Sequence, residues 1–384
     1  MIGAVLLVAM FVPTVATSFQ LFEKPKAAEI DKVKLARIDG AVKSAIDKGE
    51  VPGAVVVIVH GDAVVFRKAY GHRAKKPFEE EMTLDTIFDL ASLTKPLATA
   101  TAIHKLAEAG KLKLTDKVAD HWPEFAANGK GDVTIEHCLL HTSGLTPDNA
   151  LADYKDGKAS ALKAIAALKL DAPAGTLFKY SDVGFIVLGE LVGRLGKMPL
   201  DEYAAKHLFA PLGMTDTSFK PSEKRKSRIA PTGLRNKEII RGEVHDPRAK
   251  ALGGVAGHAG LFGTADDLAL FARMLLRGGE RDEMRILESK TVKLMTDGKA
   301  VPPKGKRSLG WDVDTGYSAP RGSAFPAGQG FGHTGFTGTS IWIDTPSKTA
   351  IIILTNRVHP DDKGNATPLR KAVGTIVAEA LPKE

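Results

Sequence analysis

Ser92 and Lys95 stand three residues apart in the stretch DLASLTKPL. On a helix that spacing puts a hydroxyl and an amine on neighbouring turns. A neutral amine there can take the hydroxyl's proton and turn serine into a nucleophile. The spacing alone decides nothing, because Ser160 and Lys163 repeat it. Lysines recur through YKDGKASALKAIAALKL around the second pair, which reads as an exposed face. The first pair lies in a nearly uncharged run from Leu90 to Ile103. Burial there would disfavour the charged amine and lower its pKa from about 10.4. A helix start at Ser92 would also present backbone N–H groups to a developing oxyanion. Pro96 complicates the first turn, because it cannot donate to the Ser92 carbonyl and it biases Lys95 away from helical angles. On these two residues, the nucleophile and a solvated turn stand side by side.

The elements that must position them follow from periodicity. Glu29–Lys48 has helical spacing of apolar residues and stops at Gly49. Ala54–His60 and Ala63–Ala69 are apolar, β-branched runs around Gly61-Asp62, which predicts a hairpin. A helical run follows Ser92 and ends at Gly110, with further helices over 135–141, 159–170, 183–194, 200–208 and 265–277. Thr337–Asp344 and Thr349–Asn356 read as adjacent strands, and Pro368–Leu381 as a closing helix. The order predicts an α+β fold: an antiparallel sheet built from both chain ends, flanked by helices, with a helical region between. One catalytic domain over 27–384 is expected, its α/β part at roughly 27–90 and 286–384 and its helical part at roughly 91–285.

Other chemistry is excluded or set aside. The GFGHTG segment at 330–335 fits a dinucleotide fingerprint in letters only, because it leads to a strand and opens no helix. Neither a phosphate-binding P-loop nor a G-x-S-x-G elbow occurs. His137 and His141 have zinc-ligand spacing, but the glutamate of HExxH and a third ligand are missing, so His141 reads as a packing or capping residue. His245 and His258 read as loop structure. Cys138, the one cysteine, lies in an apolar setting and reads as a buried, inert thiol. The net charge of +8 reads as a lysine-rich surface. The run Lys224-Arg225-Lys226 lacks interleaved aromatics, which argues against nucleic-acid binding. An anionic cell wall is the more natural neighbour. The opening segment, residues 1–18, is apolar and ends in small residues, as in a signal peptide or an N-terminal anchor. We expect export, to the periplasm or beyond, with membrane contact only through that segment.

Two later motifs tip the balance. Tyr180-Ser181-Asp182 follows a PAGT turn, and His333-Thr334-Gly335 leads into the strand at 337. With Ser92-Leu93-Thr94-Lys95, and in this chain order, they resemble the S-x-x-K, Tyr-x-Asn and Lys-Thr-Gly boxes of the class C β-lactamase-related serine hydrolases. That group includes penicillin-binding proteins, esterases and D-peptidases. HTSGL at 141–145 and ALGGVAGHAGLF at 251–262 extend the likeness across nearly the whole chain. The resemblance implies the β-lactamase/D,D-peptidase-like fold and a catalytic centre of Ser92, Lys95 and Tyr180. It implies an oxyanion hole from the N–H groups of Ser92 and Phe336. Gly335 would let an edge strand approach the substrate backbone. No cofactor and no metal is called for.

Two departures shape the expected substrate. Asp182 stands where the family has asparagine, and a carboxylate only accepts hydrogen bonds. It would either hold Lys95 as a cation, against the neutral-base role, or bind a substrate amine. His333 replaces a lysine and offers little fixed charge at neutral pH. A penicillin or D-Ala-D-Ala carboxylate would then lose an anchor. The expected activity is therefore esterase-like, or on small acyl and amide substrates, and weak on β-lactams. The alternatives are a D,D-carboxypeptidase or D-aminopeptidase acting on cell-wall peptides, and a non-catalytic module that binds peptidoglycan fragments.

Overall fold

The computed structural model describes residues 29–382, so the apolar opening segment lies outside the described residues. Nine strands form the main sheet: β1 (Gly53–His60), β2 (Ala63–Ala74), β3 (Glu80–Glu81), β4 (Lys299–Ala300), β5 (Lys306–Arg307), β6 (Asp312–Asp314), β7 (Phe331–Thr334), β8 (Ser340–Asp344) and β9 (Thr349–Leu354). Their spatial order is β4-β5-β6-β7-β8-β9-β1-β2-β3, and each neighbouring pair is antiparallel. The first strand thus pairs with the last, Val57 opposite Ile352. This is the α+β sheet built from both ends of the chain.

β1 reads as unbroken apolar sequence because both of its faces are covered. Ala54, Val56 and Ile58 pack with Ile38, Val42, Val373 and Val377, from the helices α1 (Arg37–Asp47) and α5 (Thr367–Ala380). Val55, Val57 and Val59 pack on the other side in the large core of the helical body. That core takes in Leu97, the helix α3 (Asp182–Gly196) and the helix α4 (Ala265–Leu276). (α2 is the short helix Thr101–Glu108.) Each buried valine or isoleucine contributes about 1.5–3 kcal/mol, so the two layers fix the register firmly. Among the described residues no helix is long and apolar enough to cross a membrane.

Several boundaries differ from the sequence expectation, for local reasons. The first helix is interrupted at Ala36. The strand expected from Thr337 begins at Ser340, because Gly335–Thr339 is a turn closed by the Gly335 N–H on the Thr339 carbonyl at 2.7 Å. Phe331–Thr334, read as the lead into that strand, is a strand of its own paired with Ser340–Ile343. The helix that opens at Ile135 stops at Leu139, and His141 takes a positive φ of 57°.

Candidate active site

Ser92 sits on a turn held from three sides. The short strand Phe88–Asp89 pairs with Leu261–Gly263, and the Leu90 N–H donates to the Leu261 carbonyl at 2.9 Å. Ala91 then adopts φ 46°, a strained value for a residue with a side chain. Its N–H is held by Asp89 Oδ1 at 2.8 Å. The other Asp89 oxygen accepts the His245 N–H at 2.7 Å. Burial pushes the Asp89 carboxyl up to about 6, while those two N–H groups pull it back. From the sheet side, Thr337 Oγ1 donates to the Asp89 carbonyl and Thr339 Oγ1 to the Leu90 carbonyl.

The chain after Ser92 is not an ordinary helix start. Ala91–Leu93 is a 3₁₀ turn, Lys95–Ala100 a π-turn, and regular α2 begins only at Thr101. Pro96 accounts for this, since it has no N–H to give the carbonyl four residues back. The irregular first turn anticipated from Pro96 is what forms.

Lys95 is fully buried. Its ammonium meets three acceptors: Ser92 Oγ at 3.0 Å, the His258 carbonyl at 3.1 Å and Asp182 Oδ1 at 2.7 Å. The first two are hydrogen bonds and the third is an ion pair. The expected neutral base is therefore corrected. Burial alone would lower the Lys95 pKa, but the Asp182 carboxylate, with Tyr180, raises it above its ordinary value. Asp182 is the first residue of α3, at the end of the helix that favours negative charge. Of the two roles weighed for it, the structure shows the cation-holding one.

Tyr180 lies over Lys95, with Nζ 4.9 Å from the ring centre, and stacks on His141 at 4.3 Å. Burial raises its phenol above the usual range, and Lys95 draws it back. His141 also accepts the Ser181 N–H through Nδ1, so this histidine orients the Tyr180 segment. Its role is closer to the site than capping implied. His137, by contrast, closes a capping box with Thr134.

His333 is buried on β7 with Nδ1 2.9 Å from the Thr334 carbonyl. Burial first, then Arg307 and Lys95, hold its pKa well below the ordinary value, so it carries no charge at neutral pH. Phe336 is exposed, its ring stacked between Arg357 and His245. At Gly335 the chain also packs tightly on the serine turn. A Cβ there would clash with Thr339 Oγ1 and lie 2.7 Å from the Leu90 carbonyl. β7 meets β6 at the pair Gly332 and Asp312.

Ser92, Tyr180, His333, Gly335 and Phe336 line one cavity of about 270 Å³. Lys95 and Asp182 form the wall behind the serine. The sequence reading missed three contributors: Arg307, Arg357 and Arg370 line the same cavity. His258, read as loop structure, gives its carbonyl to Lys95 and pairs its side chain with Asp246 at 2.9 Å. Burial pushes Asp246 up, but His258, the Ala249 N–H and Lys95 together hold it well below the usual carboxylate range. Asp182, Asp246 and His258 have the composition of a metal site, with ligand atoms within 4.8 Å of one another. Those groups already have partners in Lys95 and in each other. Cys138 is buried and its thiol is pushed up to about 12, which makes it inert, as read.

Comparison with known proteins agrees with this geometry. The family model described as Beta-lactamase matches residues 38–375. A Salmonella agona (strain SL483) protein named "Putative D-alanyl-D-alanine carboxypeptidase" is 31% identical over 87% of this chain and 85% of its own length. The "N-acetylmuramyl-L-alanine amidase" of Bacillus subtilis (strain 168) is 32% identical over 93% of this chain and 90% of its own. Among solved structures, the β-lactamase/D-alanine carboxypeptidase of Pseudomonas syringae shares the fold with a TM-score of 0.74 at 18% identity, over 90% of this chain and 99% of that one. A serine turn set against a buried lysine, in a chain matched over this length, places the protein in the beta-lactamase family as a serine hydrolase of that fold.

Proposed function

We propose that the protein hydrolyses amide or ester bonds through an acyl-enzyme on Ser92, with peptide amides of cell-wall type as its main substrates. The observation that carries this is the 3.0 Å contact between Lys95 Nζ and Ser92 Oγ inside the cavity shared with Tyr180. Ser92 Oγ attacks the carbonyl carbon. Its proton passes to Lys95 as Lys95 releases one to Asp182, so the amine shuttles and the Asp182 carboxylate stores. Tyr180 then delivers a proton to the leaving amine or alkoxide. The same groups return in reverse order for water in deacylation. The N–H groups of Ser92 and Phe336 are the oxyanion donors in this reading.

The names of the two relatives above 30% identity favour amide substrates. A second reading, simple esters with weak β-lactam turnover, is favoured by uncharged His333. In that reading a substrate carboxylate lacks the anchor a lysine at 333 would give; the three arginines that line the cavity weigh on the other side. Export belongs to the proposal and rests on the apolar opening segment.

The test is labelling with a fluorophosphonate and with a tagged penicillin, followed by peptide mapping. We expect fluorophosphonate on Ser92, weakened in Lys95→Ala and Tyr180→Phe. A folded protein that takes neither probe at Ser92 would leave only the non-catalytic binding module.

A further inference from the structure

Asp89 is buried beneath the serine turn, and its hydrogen bonds run to three segments. Oδ1 accepts the Ala91 N–H at 2.8 Å, one residue before Ser92. Oδ2 accepts the His245 N–H at 2.7 Å. Its backbone carbonyl accepts Thr337 Oγ1 at 2.7 Å, one residue after Phe336. A carboxylate with both oxygens on backbone N–H groups makes two charge-assisted bonds and fixes two loops against each other. Ala91 needs that hold, because its φ of 46° is a strained value that the surroundings must maintain.

The His245 loop leads to the other side of the cavity. The His245 ring stacks on the Phe336 ring, 5.7 Å away and tilted by 23°. The Arg357 guanidinium carbon lies 4.4 Å from the same ring, and Arg357 Nε donates to the Phe336 carbonyl at 2.8 Å. Phe336 is nonetheless 54% exposed, so burial of its ring explains little of this clamp. What the clamp does fix is the peptide around residue 336. The Phe336 N–H makes no hydrogen bond among the described residues, so that donor is free. His245 Nδ1 also lacks a partner among the described residues, and the ring meets Phe336 through its face.

We propose that Asp89 and His245 are positioning residues for the oxyanion hole. The Asp89 carboxylate sets the Ser92 turn against the His245 loop, and the His245 ring sets Phe336 against both. The two donors are thereby held at one spacing before substrate arrives, which is what charge developing on a carbonyl oxygen requires. This rests on Ser92 as the nucleophile and on the N–H groups of Ser92 and Phe336 as the oxyanion donors.

The test compares para-nitrophenyl acetate with para-nitrophenyl thionoacetate, which puts sulfur where the oxyanion forms. Sulfur is larger and a weaker acceptor, so a preorganised hole favours the oxygen ester. For each ester, kcat/KM is read per Ser92 counted by complete fluorophosphonate labelling and divided by the rate with hydroxide. We expect the wild type to prefer the oxygen ester by about 10²- to 10³-fold, the weight of an oxyanion donor. Asp89→Asn and His245→Ala should each lower that ratio about tenfold or more, through the oxygen ester, because a small misplacement is enough. His245→Phe keeps a ring face on Phe336 and should stay within about twofold of wild type. A merely structural role would reduce the labelled fraction or slow both esters alike, and would leave the ratio in place. A ratio that either Asp89→Asn or His245→Ala leaves unmoved overturns the positioning role and keeps the hole. A wild-type ratio near one overturns the hole and the proposal with it, while absent Ser92 labelling overturns the nucleophile. If Asp89→Asn does not fold, His245→Ala against His245→Phe decides, and equal ratios in those two sink the idea.

Discussion

Ser92–Lys95 and Ser160–Lys163 share one spacing and two opposite surroundings. The second pair lies on a regular α-helix, Gly157–Ala166, with Lys163 exposed to water. The first lies on a 3₁₀ turn followed by a π-turn, with Lys95 sealed from solvent. In both, serine and lysine are neighbours along the chain. Only Lys95 is buried against fixed partners, hydrogen-bonded to the serine and the His258 carbonyl and ion-paired with Asp182. Spacing therefore brings the groups together, and burial with fixed partners is what sets the first pair apart. A solvated lysine points its charge at water and costs the helix nothing.

That contrast can be broken experimentally. Its strongest form is Ser92→Ala, which should lower kcat/KM on a para-nitrophenyl ester at least about a thousandfold. Ser160→Ala should leave it within about twofold, since a surface change away from the site is near neutral. Equal effects at the two serines would end the distinction. Lys95→Met should cost about 10²- to 10⁴-fold, the usual weight of a proton-transfer group, against no change for Lys163→Met.

Asp182→Asn sharpens the contrast by acting on charge alone. Asp182 holds Lys95 as a cation and receives its proton in the proposed transfer. Asp182→Asn leaves that proton nowhere to go, so kcat/KM at neutral pH should fall about 10²- to 10⁴-fold. A variant that keeps its rate would mean that Asp182 takes no proton from Lys95.

The smallest effect is on stability. Asp89, beneath the Ser92 turn, has its carboxyl raised from 3.8 to about 6 by burial. A raised acid contributes stability that is complete below about 3.8 and fades as pH climbs through about 6. The amount is about 3 kcal/mol from the shift. Asp89→Asn replaces one of two acceptors with a donor, so it loses a hydrogen bond to Ala91 or His245. It also abolishes the pH term. Melting temperature should therefore fall less steeply from pH 4 to pH 7 in Asp89→Asn than in wild type. Parallel curves would remove Asp89 from the account.

Much of this architecture was legible because it is periodic. The hairpin of β1 and β2 and strands β8 and β9 carry β-branched apolar runs, and helices α3, α4 and α5 carry helical patterns. Ser92, Lys95, Tyr180, Asp182 and His333 were legible as motifs, and the fold brings them together. What escaped lacks any local pattern. Arg307 stands in KGKRSLGW among lysines that do reach water, on a strand of two residues. Its burial depends on Phe178 and Tyr180, which come from a distant segment, as well as on Asp312 across the neighbouring strand. His258 contributes its backbone carbonyl, and no residue type announces that. β7 is four residues with a central glycine, too short to show a period. The charge of Lys95 was open in sequence because it depends on a 2.7 Å contact between residues 95 and 182.

One feature reaches beyond the resting molecule. The serine turn is made from residues 88–94, but it is tied by Thr337 and Thr339, and Arg370 grips the carbonyls of Gly335 and Thr339. Those ties come from the final stretch of the polypeptide. During synthesis Ser92 emerges about 250 residues before the first of these ties. A chain cut before residue 337 would carry the serine and lysine without the contacts that set their geometry.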